Sequence, residues 1–199
     1  MNMLLLNAVL SAVPAAFIAA VIIFKNRKSD FSTSSIITFI LAGAFVVFPA
    51  GMTELALSLN IPKTDGIWKI LIDAVLISAL TEETAKLFLL KLIFYIKNIK
   101  TFKAAVITAV AAGTGFAFLE NIMYSFDRSF IIIVRSLTAV PLHIITAGIT
   151  GLYLVKRDSK NGFIRYKGFA HAIVIHSLYD TLIATQSVYS FLIIPLLFC

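Results

Sequence analysis

Long apolar stretches alternate with short polar connections along most of this chain. A helix needs about 20 predominantly apolar residues to cross the hydrocarbon core of a bilayer, so each long stretch predicts one transmembrane helix. A shorter apolar segment at 188–199 is a candidate for one more span. The sequence therefore predicts an all-α, polytopic transmembrane helix bundle with about six to seven spans. The six long spans are expected near residues 3–24, 35–59, 67–96, 104–126, 130–155 and 169–185.

Composition supports a single integral membrane domain. Of the 199 residues, 60% are hydrophobic and only 14% are charged, whereas soluble domains carry about 25% charged residues. We expect residues 1–199 to form one domain in the cell membrane, with a motif-bearing core at about 67–185. The single cysteine, Cys199, excludes a disulfide framework and a cysteine-based metal cluster.

The net charge of +7 arises mainly from the short connections between spans. In a membrane protein such charges set topology, so we expect the lipid bilayer as the partner and no nucleic acid. Basic connections near 25–30, 97–103 and 156–168 alternate with nearly neutral ones near 60–69 and 127–129. Because basic loops stay in the cytoplasm, the alternation predicts a multi-pass protein with its N-terminus outside.

Ionisable side chains inside the predicted spans depart most clearly from this apolar pattern. A charge near the centre of a bilayer costs from about 2.5 kcal/mol to well over 10 kcal/mol, so such residues mark functional sites by default. The pattern favours a polar intramembrane site enclosed by the bundle, with hydrolysis as its chemistry. Glu54 is expected near the outer interface. Asp73 is expected at the outer headgroups, and a place on a water entry path is the alternative. Nine ionisable residues inside the predicted spans carry this interpretation: Asp73, Glu82, Glu83, Lys86, Glu120, His143, His171, His176 and Asp180.

The third predicted span carries the densest cluster, Glu82, Glu83 and Lys86. Residues three and four apart are neighbours on a helix, so the lysine can reach both carboxylates. Two adjacent carboxylates in a partly desolvated place do not both ionise easily. One of them is then a candidate general base while the other pairs with the lysine. The alternative is a purely structural Glu–Lys pair.

The fourth and fifth spans add an acid and an imidazole. Phe116 and Glu120 are four residues apart, so they share a helix face and the ring forms an apolar wall beside the acid. His143 follows Pro141 by two residues. A structural role for His143 is the alternative, since a histidine can bond a backbone carbonyl that a proline has freed.

The sixth span carries two histidines that point in different directions. His176 and Asp180 are four residues apart and share a face. His171 is five residues from His176, about 140° around the helix, so only one of the two can face the site. We assign His176 to the site because Asp180 accompanies it, and we expect His171 at the inner interface.

Taken together, these motifs resemble those of the PrsW family of intramembrane proteases, within the wider group of CAAX-prenyl endopeptidases and bacteriocin-processing enzymes. Four motifs in separate spans carry the resemblance: E-E-x-x-K, F-x-x-x-E-N, R-x7-H-x4-G and H-x-x-x-D. In chain order they are formed by Glu82, Glu83 and Lys86, by Phe116, Glu120 and Asn121, by Arg135, His143 and Gly148, and by His176 and Asp180.

The resemblance implies an intramembrane endopeptidase that cleaves membrane-anchored peptide or protein substrates with a glutamate-activated water. Glu82 is then the favoured base, with Glu83 next. Asp180 is expected to orient His176, because a free carboxylate there would repel an oxyanion. The implied catalytic set is Glu82, Glu83, Glu120, His143, His176 and Asp180. Its implied supporting residues are Lys86, Phe116, Asn121 and Arg135.

The residues leave the cofactor and the activity open to alternatives. A metal-free mechanism is favoured, and Zn²⁺ held by His143, His176 and Glu120 is the alternative, since two histidines and a carboxylate form a known catalytic zinc set. A proton-coupled transporter would also bury acids and histidines, although matched pairs of broken spans are missing. A catalytically inactive membrane immunity or partner-binding protein is the remaining alternative.

Overall fold

The computed structural model describes residues 3–26, 31–62, 64–125, 131–156, 164–185 and 193 of the chain, and these contain helices and no strand. The all-α prediction is confirmed for these residues. The helices are α1 (Met3–Asn26), α2 (Thr33–Asn60), α3 (Gly66–Ile72), a π-helical segment (Asp73–Ala79), α4 (Leu80–Ile96), α5 (Phe102–Tyr124), α6 (Ile131–Leu154) and α7 (Ile164–Ala184).

Three described stretches are long and apolar enough to cross a membrane: Thr33–Asn60, Phe102–Tyr124 and Leu137–Leu154. Large apolar side chains such as Phe45 and Phe88 are exposed on the outer faces of the helices, where they suit contact with lipid chains. The count of six to seven spans stays a prediction. Apart from residue 193, the candidate segment 188–199 lies outside the described residues.

Local sequence signals begin and end several helices. The Ser32 hydroxyl accepts the backbone N–H of Ser35 at 3.2 Å and caps α2, and Thr101 does the same for Ala104 at the start of α5, at 3.3 Å. Asn98, with a positive φ of 50°, turns the chain between α4 and α5. Asparagine tolerates this left-handed conformation better than most residues.

Helix α5 is the centre of the bundle, because it packs against α1, α2, α4 and α6. Its middle consists of small residues, including Ala112 and Gly115, which let neighbouring backbones approach closely. A Cβ atom built on Gly43 of α2 would overlap the carbonyl oxygen of Ala112, and one built on Gly115 would overlap that of Ile40. The crossing of α2 and α5 is therefore a backbone contact that requires glycine on both helices.

The π-helical segment joins α3 to α4 and packs against α7. At its end the N–H of Leu80 bonds the carbonyl of Val75, five residues earlier, instead of four. The wider turn changes the direction of the side chains before α4, and such turns are frequent at functional sites. The predicted span at 67–96 is thus helical throughout, but it includes an irregular turn that places Ser78 against α7.

We expect Gly115→Ala to destabilise the bundle by about 1–3 kcal/mol, because the added methyl group overpacks the α2–α5 crossing. Thermal unfolding of the purified protein in detergent measures this. Gly51→Ala is the matched control, since a Cβ on Gly51 of α2 meets nothing within 4 Å. Equal stabilities of the two variants would contradict a backbone-level contact between α2 and α5.

Candidate active site

A buried lysine occupies the middle of the polar cluster. Lys86 of α4 is 3% exposed, and its Nζ donates to Glu83 Oε1 at 2.8 Å and to Glu82 Oε2 at 3.4 Å. It also lies 2.8 Å from Nδ1 of His143 and 4.1 Å from the centre of the Phe116 ring. A buried charge is stable only when it is paired and hydrogen-bonded, and here acids, an imidazole and an aromatic face supply these contacts.

Glu83 bonds three neighbouring side chains and is buried in the bundle. Besides Lys86, its Oε1 accepts hydrogen bonds from Thr146 Oγ1 of α6 at 3.2 Å and from His176 Nδ1 of α7 at 2.8 Å. The carboxylate therefore links three helices. The other oxygen, Oε2, makes no hydrogen bond with any described residue.

The two buried histidines are held by carboxylates in the same manner. His143 shares a short hydrogen bond between its Nε2 and Glu120 of α5, and His176 shares one between its Nδ1 and Glu83. The remaining nitrogens lie near Glu82 Oε2, at 3.9 Å from His143 Nδ1 and 3.8 Å from His176 Nε2. His176 Nε2 is also 3.4 Å from Oδ2 of Asp180, the residue that the sequence paired with it. Since an ammonium only donates, the Lys86 contact assigns the lone pair of His143 to Nδ1 and its proton to Nε2.

Glu82 lies where both histidines point, and it is 3% exposed. Its Oε1 is 3.4 Å from the hydroxyl of Ser78 on the π-helical segment, which also donates to Asp180 Oδ2 of α7 at 2.5 Å. Sequence reasoning missed Ser78. A serine four residues before a glutamate is common in helices, and only the π-helical turn and the packing of α7 give it these partners.

Three atoms of the cluster form a group that could hold a metal ion. Ligand atoms of Glu82, His143 and His176 lie within 4.8 Å of one another, and all three residues are buried. Two histidines and a carboxylate form a catalytic zinc set. Metal-binding histidines usually donate the N–H of their other ring nitrogen to a carboxylate, and His143 and His176 are paired in this way with Glu120 and Glu83. Nε2 of His176 makes no hydrogen bond with any described residue. The residues therefore fit a divalent cation, with which Lys86 would compete for Nδ1 of His143.

The carboxylate in this group differs from the one that the sequence predicted. The sequence paired the histidines with Glu120, whereas the structure places Glu82 beside their free nitrogens. The reason is geometric: the two nitrogens of an imidazole lie on different edges of the ring. Glu120 contacts Nε2 of His143, so it lies on the far side of that ring from Glu82.

Two concave surfaces lie on the α2 side of the cluster, and Glu82 lines the first of them. The first, the acidic cavity, has a volume of about 220 Å³. The second, the apolar groove, has a volume of about 570 Å³, runs between α2 and α4, and shares Ala50 with the acidic cavity. The acidic cavity is lined by Val47, Ala50, Gly51, Glu54, Glu82, Phe116, Glu120, Met123 and Tyr124. The apolar groove is lined by residues that include Val46, Ala50, Leu57, Leu76, Leu80, Phe88 and Leu92.

Other residues singled out in the sequence take different places. Asn121 donates to the Ser11 carbonyl of α1 at 3.3 Å, so it ties two helices together. His171 is exposed and packs near Tyr153, while His176 is buried in the cluster. Arg135 belongs to α6, but its side chain lies outside the described residues.

The interfacial position of Glu54 stays a prediction, and the structure adds a second feature of this residue. Glu54 is half-buried and lines the acidic cavity together with Glu82 and Glu120. It lies only six residues before the end of α2 at Asn60, as the sequence suggested. Its helix face, however, turns it towards the cluster. Asp73 pairs with Lys69, and its side chain is 47% exposed. Its place at the outer interface also stays a prediction.

A family model described as PrsW family intramembrane metalloprotease matches residues 32–199. The chain belongs to this family. No curated protein and no solved structure matches the chain. The match includes every helix that contributes to the cluster around Lys86. It confirms the PrsW family that the four sequence motifs predicted. This PrsW family member is accordingly an intramembrane protease by family.

Glu83→Gln should destabilise the protein by about 3 kcal/mol or more, because it removes a partner from a buried ion pair. Asp73→Asn is the matched control, since it removes the acid of the exposed Lys69–Asp73 pair and should cost less than about 1 kcal/mol. Chemical or thermal unfolding in detergent compares them. A loss for Glu83→Gln no larger than that for Asp73→Asn would show that Lys86 does not depend on Glu83.

Proposed function

We propose that this PrsW family member hydrolyses peptide bonds of membrane-embedded or membrane-anchored substrates, with Glu82, His143 and His176 acting together on the attacking water. The observation that carries the proposal is the convergence of two carboxylate-held histidines on one buried glutamate. Purely structural polar contacts have no need to leave two imidazole nitrogens facing the same carboxylate oxygen.

Glu82 is the residue best placed to act as general base. It lines the acidic cavity, where a substrate carbonyl has room to approach. In this role Glu82 takes a proton from water as the oxygen attacks the carbonyl carbon, and it later returns the proton to the leaving amine. Glu83 and Glu120 hold the histidines in orientation, and Lys86 stabilises the negative charge that develops nearby.

A divalent cation held by Glu82, His143 and His176 would polarise the carbonyl and make a bound water more acidic. The family description and the outer carboxylates on both histidines support this metal-assisted version. The metal-free version favoured by the sequence retains one specific support. Lys86 already places a positive charge 2.8 Å from Nδ1 of His143 and 3.4 Å from Oε2 of Glu82.

The apolar groove gives the substrate a hydrophobic approach to this cluster. An apolar peptide segment can leave the bilayer between α2 and α4 and reach the acidic cavity at Ala50. We place the protein in the cell membrane as one domain with six to seven spans and its N-terminus outside. The alternation of basic and nearly neutral loops supports this orientation.

Glu82→Gln should lower peptide cleavage at least about 10³-fold, because the amide cannot accept the proton of water. Comparative proteomics of membrane fractions identifies a substrate, and its cleavage is then measured with purified protein in liposomes. The control, Asp65→Asn, neutralises an exposed acid before α3 and should retain activity. Unchanged cleavage by folded Glu82→Gln would eliminate Glu82 as the base.

In the metal-assisted version, the purified protein binds one divalent cation, and chelation abolishes a cleavage that Zn²⁺ restores. His176→Ala should lose the metal, while His171→Ala, which changes the exposed histidine on the same helix, should retain it. Elemental analysis of both variants measures this. Full activity in protein stripped of metal would instead establish the metal-free version.

A further inference from the structure

A further cavity on the α7 side ends at Ser78 and Asp180, and the Ser78 hydroxyl lies 3.4 Å from Glu82 Oε1. This Ser78 cavity has a volume of about 360 Å³ and lies between the beginning of the α3–α4 helix and the ends of α5 and α7. It differs in position from the acidic cavity and the apolar groove, both of which lie on the α2 side. Its lining includes Lys69, Asp73, Ala74, Ser78, Tyr124 and Asp180.

The Ser78 cavity is polar at both ends. One end carries the Lys69–Asp73 ion pair, whose side chains are 60% and 47% exposed. The other end carries Ser78 and Asp180, and the Asp180 side chain is only 12% exposed. The apolar groove, by contrast, is lined mainly by aliphatic and aromatic side chains. The Ser78 cavity therefore suits water, whereas the apolar groove suits lipid chains or apolar peptide segments.

Ser78 connects this cavity to the proposed base. Its hydroxyl donates to Asp180 Oδ2 at 2.5 Å and lies 3.4 Å from Glu82 Oε1. A hydroxyl has one proton and two lone pairs. While the proton is engaged with Asp180, the lone pairs remain able to accept a hydrogen bond from a water molecule beside Glu82.

We propose that the Ser78 cavity is the path by which water reaches Glu82, with Ser78 and Asp180 as the residues that position it. This inference rests on the proposed hydrolysis. Each cleavage consumes one water: its oxygen and one hydrogen complete the new carboxyl group, and its other hydrogen completes the new amine. The hydrocarbon core supplies no water. At about 30 Å³ per molecule, a cavity of this size holds several waters.

The π-helical segment separates the two environments and offers a built-in comparison. Ala74 and Ser78 line the Ser78 cavity, whereas Leu76, two residues from each of them, lines the apolar groove. Cysteines at these three positions therefore lie at similar depth but face different surroundings. Cys199 is the single native cysteine, so its replacement by serine gives a background without thiols.

Labelling with a positively charged methanethiosulfonate in proteoliposomes tests the path. Ala74→Cys and Ser78→Cys should react at least about tenfold faster than Leu76→Cys, because a fixed charge is excluded from hydrocarbon. Thiol content after unfolding normalises the rates. Equal rates at positions 74 and 76, or faster reaction at 76, would overturn the proposal. Labelling requires no cleavage, so this result is independent of whether Glu82 is the base.

Kinetics test the positioning role of Ser78. Ser78→Ala should lower kcat about tenfold or more with little change in KM, because the water loses a hydrogen-bonding partner beside the base. Ser78→Thr retains the hydroxyl and should recover most of kcat. A wild-type kcat in Ser78→Ala, or equal losses in both variants, would eliminate the role.

Discussion

The buried ammonium group of Lys86 is the constraint on which the polar cluster depends. Lys86 is 3% exposed within an apolar bundle, so it requires negative partners close by. Glu83 meets this need most directly, at 2.8 Å, and the same carboxylate oxygen bonds His176. Lys86 also contacts Nδ1 of His143, which leaves the Nε2 proton of that ring for Glu120. The Lys86 ammonium thus organises side chains from α4, α5, α6 and α7. Glu82 lies beside Nδ1 of His143 and Nε2 of His176.

The fold could be predicted from sequence as far as the positions of its helices. Six long apolar stretches correspond closely to α1, α2, the continuous 66–96 helix, α5, α6 and α7, because backbone groups in a membrane must be satisfied within each segment. The π-helical segment, which packs against α7, could not be predicted, since no residue type signals it. Equally, the close crossing at Gly43 and Gly115 requires the pairing of α2 with α5, which no local pattern contains.

The sequence predicted which residues form the candidate site better than it predicted which of their atoms are in contact. Spacing separated His176 from His171, and the structure buries the first and exposes the second. The partner of each ring nitrogen was not predictable, because it depends on the rotation of α5, α6 and α7 about their axes. Glu120 therefore lies on the far edge of His143, and Glu82 takes the place expected for it. Ser78 and Asp180 meet across 102 residues of sequence, and helical spacing says nothing of such a contact.

The arrangement of the two histidines is tested most directly by solid-state NMR of protein labelled with ¹⁵N only in histidine. The chain has three histidines, and a His171→Gln variant leaves the two in the cluster. The account predicts that His143 carries its proton on Nε2 with a hydrogen-bonded or metal-bound Nδ1, and that His176 carries a proton on Nδ1. Finding the proton of His143 on Nδ1, or both rings with the signals of free imidazole in solvent, would contradict it.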